Sequence, residues 1–183
     1  TKQSHCVRSF EVSVSRHGIK GNIETFLNAG ACVVSLPFKR SFNDPFEYLA
    51  YFENLLPYFK NSSVKQLIFT SSTSIYAKQD GDFDEQALID RVSPRAQALK
   101  KVEDLLLSLN LSVCILRIAG IWNLSRAQFR RLDTPIEGPD VLLNLVHEED
   151  VVSAITACID SKAKGIFNVC APFHPSRQDY YTA

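Results

Sequence analysis

Leu67-Ile-Phe-Thr-Ser-Ser-Thr-Ser-Ile-Tyr76 is an apolar run that gives way to consecutive hydroxyl residues and then a tyrosine. Its first half belongs to Val64–Thr70, a short run that is apolar almost throughout, as expected of a strand buried on both faces of a parallel sheet. Working outward, Ala31–Leu36, Leu111–Leu116 and Ile166–Cys170 repeat the pattern. Helical stretches separate them. Asn43-Asp44-Pro45 opens one, with Phe46, Leu49, Leu56 and Phe59 at helical spacing and Pro57 expected to kink or shorten it. Ser93-Pro94 opens a second as N-cap and first-turn proline, with Arg95, Leu99, Val102, Leu106 and Leu109 along one face. A third starts near Glu148 and is expected to bury Val151, Val152, Ile155 and Ile159. Parallel neighbours need crossover connections, so strand and helix in alternation predict an α/β fold, a parallel sheet with helices on both faces.

Such a sheet binds ligands beyond the carboxyl ends of its strands. The segments in question are Pro37-Phe38, Ser71-Ser72-Thr73-Ser74 and Ala119-Gly120. A serine and threonine run taken alone reads as a polar turn. Here it ends a buried strand on the ligand edge, and that position favours a binding role.

Composition narrows the classes. The 183 residues are 45% hydrophobic and 22% charged, enough apolar content for one substantial core. Twenty basic residues balance twenty acidic ones, so the surplus that binds nucleic acid or anionic lipid is missing. With no apolar run near the ~20 residues of a membrane span, and a polar start at TKQSHC, the expected location is cytoplasmic with no membrane partner. Cys6, Cys32, Cys114, Cys158 and Cys170 occur singly. Cys32, Cys114 and Cys170 sit in strand-like runs, and the set reads as buried free thiols, with no metal site expected. The absence of methionine suggests that residues are missing from the sequence. The loop from Asn123 to Asn144 is expected to form, with the C-terminal end, a small substrate-side region of one domain spanning 1–183.

The Leu67–Tyr76 signature resembles that of the extended short-chain dehydrogenases/reductases, the NAD-dependent epimerase/dehydratase group. Three further segments follow in that family's order: Ser93-Pro94, Leu116-Arg-Ile-Ala-Gly-Ile121 and Asn144-Leu-Val-His-Glu-Glu-Asp-Val151. The resemblance covers Ala31 to about Ala171. It implies a Rossmann-like doubly wound sheet, NAD or NADP as cofactor and a nucleotide-sugar-like substrate, with a homodimer left open. Ser72 matches the active-site serine that hydrogen-bonds the reacting oxygen, and Tyr76 and Arg95 complete the candidate catalytic set. The cofactor is expected along Leu36, Pro37, Phe38, Thr70, Ser71, Ala119, Gly120 and Ile121. Thr73, Ser74 and His147 fall on the substrate side.

Two departures from the family stand out. Its chemistry rests on a tyrosine and, four residues later, a lysine on one helix face. Here Arg95 and Leu99 occupy those places, and a guanidinium that stays protonated cannot shuttle a proton at neutral pH. Arg95 reads either as a fork for a phosphate or carboxylate or as a surface arginine. The other departure is that no glycine-rich phosphate turn occurs; Gly18-Ile-Lys-Gly21 is the nearest approach, after a strand-like Val7–Ser15. The intact gene product is therefore expected to carry, before Thr1, several tens of residues with a strand, a Gly-rich turn and a helix. His147 reads as a structural histidine at a helix start, Arg117 as a buried ion-pair or positioning residue, and Trp122 as either packing or stacking. His5, His17 and His174 have no supporting pattern. An atypical enzyme and a non-catalytic nucleotide-binding protein both remain open.

Overall fold

A computed structural model describes residues 8–39, 42–77, 81–123 and 135–182. Strands β1 (Val12–Ser15) and β2 (Gly18–Gly21) form an antiparallel hairpin, followed by the short helix α1 (Ile23–Phe26). Strand β3 (Ala31–Val34), helix α2 (Glu47–Lys60), strand β4 (Gln66–Ser72) and a 3₁₀ turn at Thr73–Ile75 come next. Helix α3 (Pro94–Leu107), strands β5 (Ser112–Ile118), β6 (Gly120–Trp122) and β7 (Leu145–His147), helix α4 (Glu148–Ser161), strand β8 (Gly165–Val169) and helix α5 (Arg177–Thr182) complete the chain. The central sheet runs β3-β4-β5-β8, parallel throughout.

The period-2 geometry of a strand divides the sheet's side chains between two cores. Leu67 and Phe69 of β4 and Val113 and Ile115 of β5 pack on α2 and α3, with Phe52, Phe59, Leu99, Val102 and Leu106. Ile68, Cys114 and Leu116 face the other way, against Val151, Ile155 and Ile159 of α4. Helices thus cover both faces, as a Rossmann-like sheet requires. The hairpin, α1, β3 and α2 line an open apolar pocket of about 260 Å³, with Phe10, Val14, Ile23, Val34 and Leu55 among its walls.

The helix starts follow their sequence signals. Ser93 Oγ accepts from the Ala96 amide and Pro94 fills the first turn of α3. His147 caps α4, its Nδ1 accepting from the Glu149 amide.

Four expectations are corrected. Pro57 does not shorten α2 at its own position, and the helix continues to Lys60, because a proline so near the C-terminus removes one amide bond from a helix already held by its neighbours. The fully buried stripe of α2 is Tyr48, Phe52, Leu55 and Phe59; of the expected set Phe59 belongs to it, Leu49 and Leu56 pack against the same core only partly buried, and Phe46 precedes the helix. On α4 only Val151 is fully buried, and Val152 is 62% exposed, since a helix on one sheet face buries a single stripe. Cys170 is exposed, being beyond the last residue of the edge strand β8. Gly18–Gly21 forms half of a hairpin, not a phosphate turn. His5, Cys6 and 124–134 of the expected substrate-side loop lie outside the described residues. The flanking 135–144 and 171–182 are joined by Leu143 donating to the Pro175 carbonyl and Arg177 Nη1 to the Glu137 carbonyl.

Candidate functional site

The four parallel strands bring the segments after β3, β4 and β5 to one edge. Leu36, Pro37 and Phe38 follow β3; Thr70 and Ser71 end β4 with Ser72, and Thr73 and Ser74 continue from it; Ala119, Gly120 and Ile121 follow β5. The register sets Ser72 beside Ile118. Thr70 Oγ1 donates to Ser35 Oγ at 3.0 Å, joining the first two segments. Ser72 is half-buried and its Oγ accepts from the Ser74 amide at 3.2 Å, which starts the 3₁₀ turn and leaves Ser74 exposed. Gly120 permits the next crossing: a Cβ there would meet the Leu145 side chain at 3.0 Å and the Asn144 carbonyl at 3.2 Å. That close approach lets β6 pair with β7 and carries His147 to the same end of the molecule. Trp122 stacks edge-on against His147 with centroids 4.8 Å apart, so the tryptophan packs on the histidine that caps α4. Asn123, after β6, donates to Glu148.

Arg95 is drawn back over the end of β3. Its guanidinium lies 4.1 Å from the centroid of the Phe38 ring, a cation–π contact. Phe38 in turn packs on Phe42 and Tyr48. Tyr48 donates to the Leu36 carbonyl at 2.8 Å, and burial pushes its phenol above the ordinary value although Arg95 pulls the other way. Leu99 is 2% exposed within the α3 core.

Tyr76 differs from expectation. Its hydroxyl donates to Asn168 Oδ1 at 2.6 Å and accepts from Arg117 Nη1 at 3.0 Å, and the ring is buried. The side chain faces inward, although the family resemblance sets Tyr76 in the candidate catalytic group. The sheet's alternation explains why. Ser71 and Arg117 are register partners, as are Arg117 and Asn168, and this row continues the face that Phe69 and Ile115 present to α3. Polar residues on a buried face must find partners there. Glu103 of α3, with no exposed surface, supplies them. Ser71 Oγ donates to Glu103 Oε1 at 2.6 Å, Arg117 Nε to the same oxygen at 3.2 Å and Arg117 Nη2 to Oε2 at 2.7 Å. Burial alone would lower the Arg117 pKa, but the hydrogen bonds to Glu103 and Tyr76 and the Glu103 charge outweigh it and hold the guanidinium protonated. The segment before α3 closes the network: Glu85 Oε1 accepts from the Asn168 amide at 2.6 Å and the Phe83 carbonyl from Asn168 Nδ2 at 3.2 Å. Of the two roles expected of Arg117, the buried ion pair is present. No motif points to its partner Glu103, whose one signal in the sequence is a carboxylate beside the Leu99–Val102–Leu106 face.

No family model matches the sequence. The chain is 35% identical over 164 residues to protein YeeZ of Escherichia coli K12, and equally to that of strain O157:H7. The match takes in 87% of this chain and 60% of each relative, so the chain spans less than two thirds of their length. Among solved structures, WbmG of Bordetella bronchiseptica in complex with NAD superposes with a TM-score of 0.73 at 15% identity, over 84% of this chain and 54% of that one. UDP-N-acetylglucosamine 4-epimerase from Bacillus cereus gives 0.67 at 16%, over 87% and 65%. MoeE5 in complex with UDP-glucose and NAD gives 0.68 at 22%, over 85% and 61%. The chain shares the fold of these proteins. At such identities the likeness concerns the backbone alone. Among the described residues no helix is long and apolar enough to cross a membrane.

Proposed function

We propose that the chain is part of an NAD(P)-binding protein of the epimerase, dehydratase and reductase kind, taking a nucleotide-sugar-like substrate at the rim made by β3, β4 and β5. The observation that carries this reading is the convergence of Leu36–Phe38, Thr70–Ser74 and Ala119–Ile121 on the carboxyl edge of one parallel sheet. That edge is where open α/β sheets bind ligands. Solved relatives in fold hold NAD, and one holds UDP-glucose as well.

The described residues fit the nicotinamide-side half of a dinucleotide. Leu36, Pro37 and Phe38 would flank it from β3, the backbone at Thr70 and Ser71 from β4, and Ala119, Gly120 and Ile121 from β5. Among the described residues there is no glycine-rich strand-to-helix turn, so no pyrophosphate grip is assigned. The cofactor would supply reversible hydride transfer. Ser72 would contact the oxygen at the reacting carbon, with Thr73, Ser74 and His147 on the substrate side. Arg95 would offer its charge to a phosphate or carboxylate while resting on Phe38. Tyr76 would serve as an anchor, since both its hydrogen-bonding directions are taken by Asn168 and Arg117.

The test is an NADH titration followed by nucleotide fluorescence, paired with an assay on UDP-glucose. Saturable binding is expected, with turnover slower by about 10²–10⁴ than a family member with the tyrosine and lysine, the usual contribution of a general acid/base. Fast turnover unaffected by Tyr76→Phe and by Ser72→Ala would overturn the assignment.

The buried Leu99 and the stacked Arg95 favour a second reading. A helix with leucine in its core and arginine on Phe38 carries no group for the usual proton transfer. On that reading the rim binds a nucleotide without turnover, and saturable NADH binding with no detectable turnover would support it.

A further inference from the structure

The Glu103–Arg117 pair is buried, charged and unused by any step proposed above. Removing two charges from water is expensive, and a well-packed apolar pair in their place is often neutral or stabilising. Overall stability is therefore a poor account of why the pair is there. Its attachments suggest another. Glu103 receives the hydroxyl of Ser71, the residue directly before Ser72. Arg117 donates to the hydroxyl of Tyr76, the residue directly after the Thr73–Ile75 turn. The rim segment that carries the Ser72, Thr73 and Ser74 hydroxyls is thus tied at both ends to one ion pair, while between those ends lie local bonds, Ser74 amide to Ser72 Oγ and Tyr76 amide to the Thr73 carbonyl at 3.2 Å each, and one bond to the next segment, the Ile75 carbonyl accepting from the Asp90 amide at 2.9 Å.

We propose that Glu103 and Arg117 are positioning residues for the hydroxyl rim, holding the two ends of the Ser72–Tyr76 segment at a fixed separation so that its hydroxyls are arranged before a ligand arrives. The inference rests on reading that rim as the ligand site. A rigid segment loses less freedom on binding, so affinity gains from the arrangement being made in advance. Asn168 extends the same hold to β8, and Glu85 to the segment that precedes α3.

The experiment replaces the pair with apolar residues of similar size, Glu103→Leu with Arg117→Met. Ser71→Ala is added so that no buried hydroxyl is orphaned. Amide hydrogen exchange, thermal unfolding and NADH titration are compared with the unaltered protein and with Ser71→Ala alone. The expected result is an unfolding temperature equal to or above that of the unaltered protein. Exchange at the Ser74 and Tyr76 amides should be faster by about tenfold or more, as loss of a charged hydrogen bond implies, and exchange in α2 unchanged. NADH affinity should weaken by a similar factor. Tyr76→Phe, which frees one end only, should speed exchange at Tyr76 more than at Ser74. Unchanged exchange at both amides in a folded triple variant would overturn the inference. So would a triple variant that fails to fold, which would show the pair to be structural. If the unaltered protein binds no NADH but the exchange pattern appears, the cofactor reading fails and the positioning role stands.

Discussion

Glu103 has no exposed surface and Arg117 is 1% exposed, so the single substitution Arg117→Leu would leave a buried carboxylate without its cation. The expected loss is about 3–5 kcal/mol, read from urea unfolding, in contrast to the mild effect expected when both partners are replaced. Cys32 gives a pH test. Burial raises its thiol from 9.0 to about 11. The unfolded chain then loses that proton first as pH rises, so the folded state binds more protons between the two values. The contribution to stability is complete below pH 9 and is lost on the way to about pH 11, at no more than about 1.4 kcal/mol per pH unit. Urea midpoints measured from pH 8 to 11 should fall less steeply for Cys32→Val than for the unaltered chain. Equal slopes would show that the buried thiol does not set this dependence.

At the scale of elements, α3 and α4 offer two independent changes of opposite sign. Ser93 accepts the Ala96 amide at the start of α3, and Ser93→Ala should lower stability by about 1 kcal/mol while Ser93→Asp holds it near the starting value. α4 ends at Lys162 with φ of 53°, in the left-handed region. A residue with a Cβ carries strain there of about 1–2 kcal/mol that glycine does not. Lys162→Gly should therefore raise the thermal midpoint, since its gain at a left-handed cap exceeds glycine's extra freedom in the unfolded chain. These elements were also the ones most legible beforehand. The capping serine, the following proline and the carboxylates after His147 are local signals, and both helices begin where those signals stand. The fully buried stripe on α2 is not legible in the sequence because Tyr48, Phe52, Leu55 and Phe59 lie beside Leu49 and Leu56, which are also apolar and partly buried. Which of two adjacent apolar stripes faces the sheet depends on what the sheet presents, and periodicity along one helix does not contain that.

For the molecule as a whole, the sharpest prediction concerns restoring the family's pair. Leu99 lies in the core that α2 and α3 share with β4 and β5. Arg95→Tyr alone should remove the contact with Phe38 and leave the fold intact. Leu99→Lys should destabilise by several kcal/mol, because a buried ammonium without a partner must be desolvated or neutralised. Circular dichroism melts of the two single variants separate these cases. A Leu99→Lys protein as stable as its parent would mean that this helix face opens toward the rim. The four strands of the parallel sheet, the helices α2, α3 and α4 between them and the rim segments at its carboxyl edge are legible in the amino-acid sequence alone. Apolar runs, caps and the hydroxyl cluster after β4 are local and survive reading in one dimension. That Tyr76 turns inward, that Arg95 settles on Phe38 and that Glu103 gathers Ser71 and Arg117 follows from packing between distant parts of the chain. Ser71 lies 32 positions from Glu103, and Tyr76 lies 92 from Asn168. A side chain's chemistry states that it needs a partner, but which partner it meets is fixed by the register of strands and the helix laid over them.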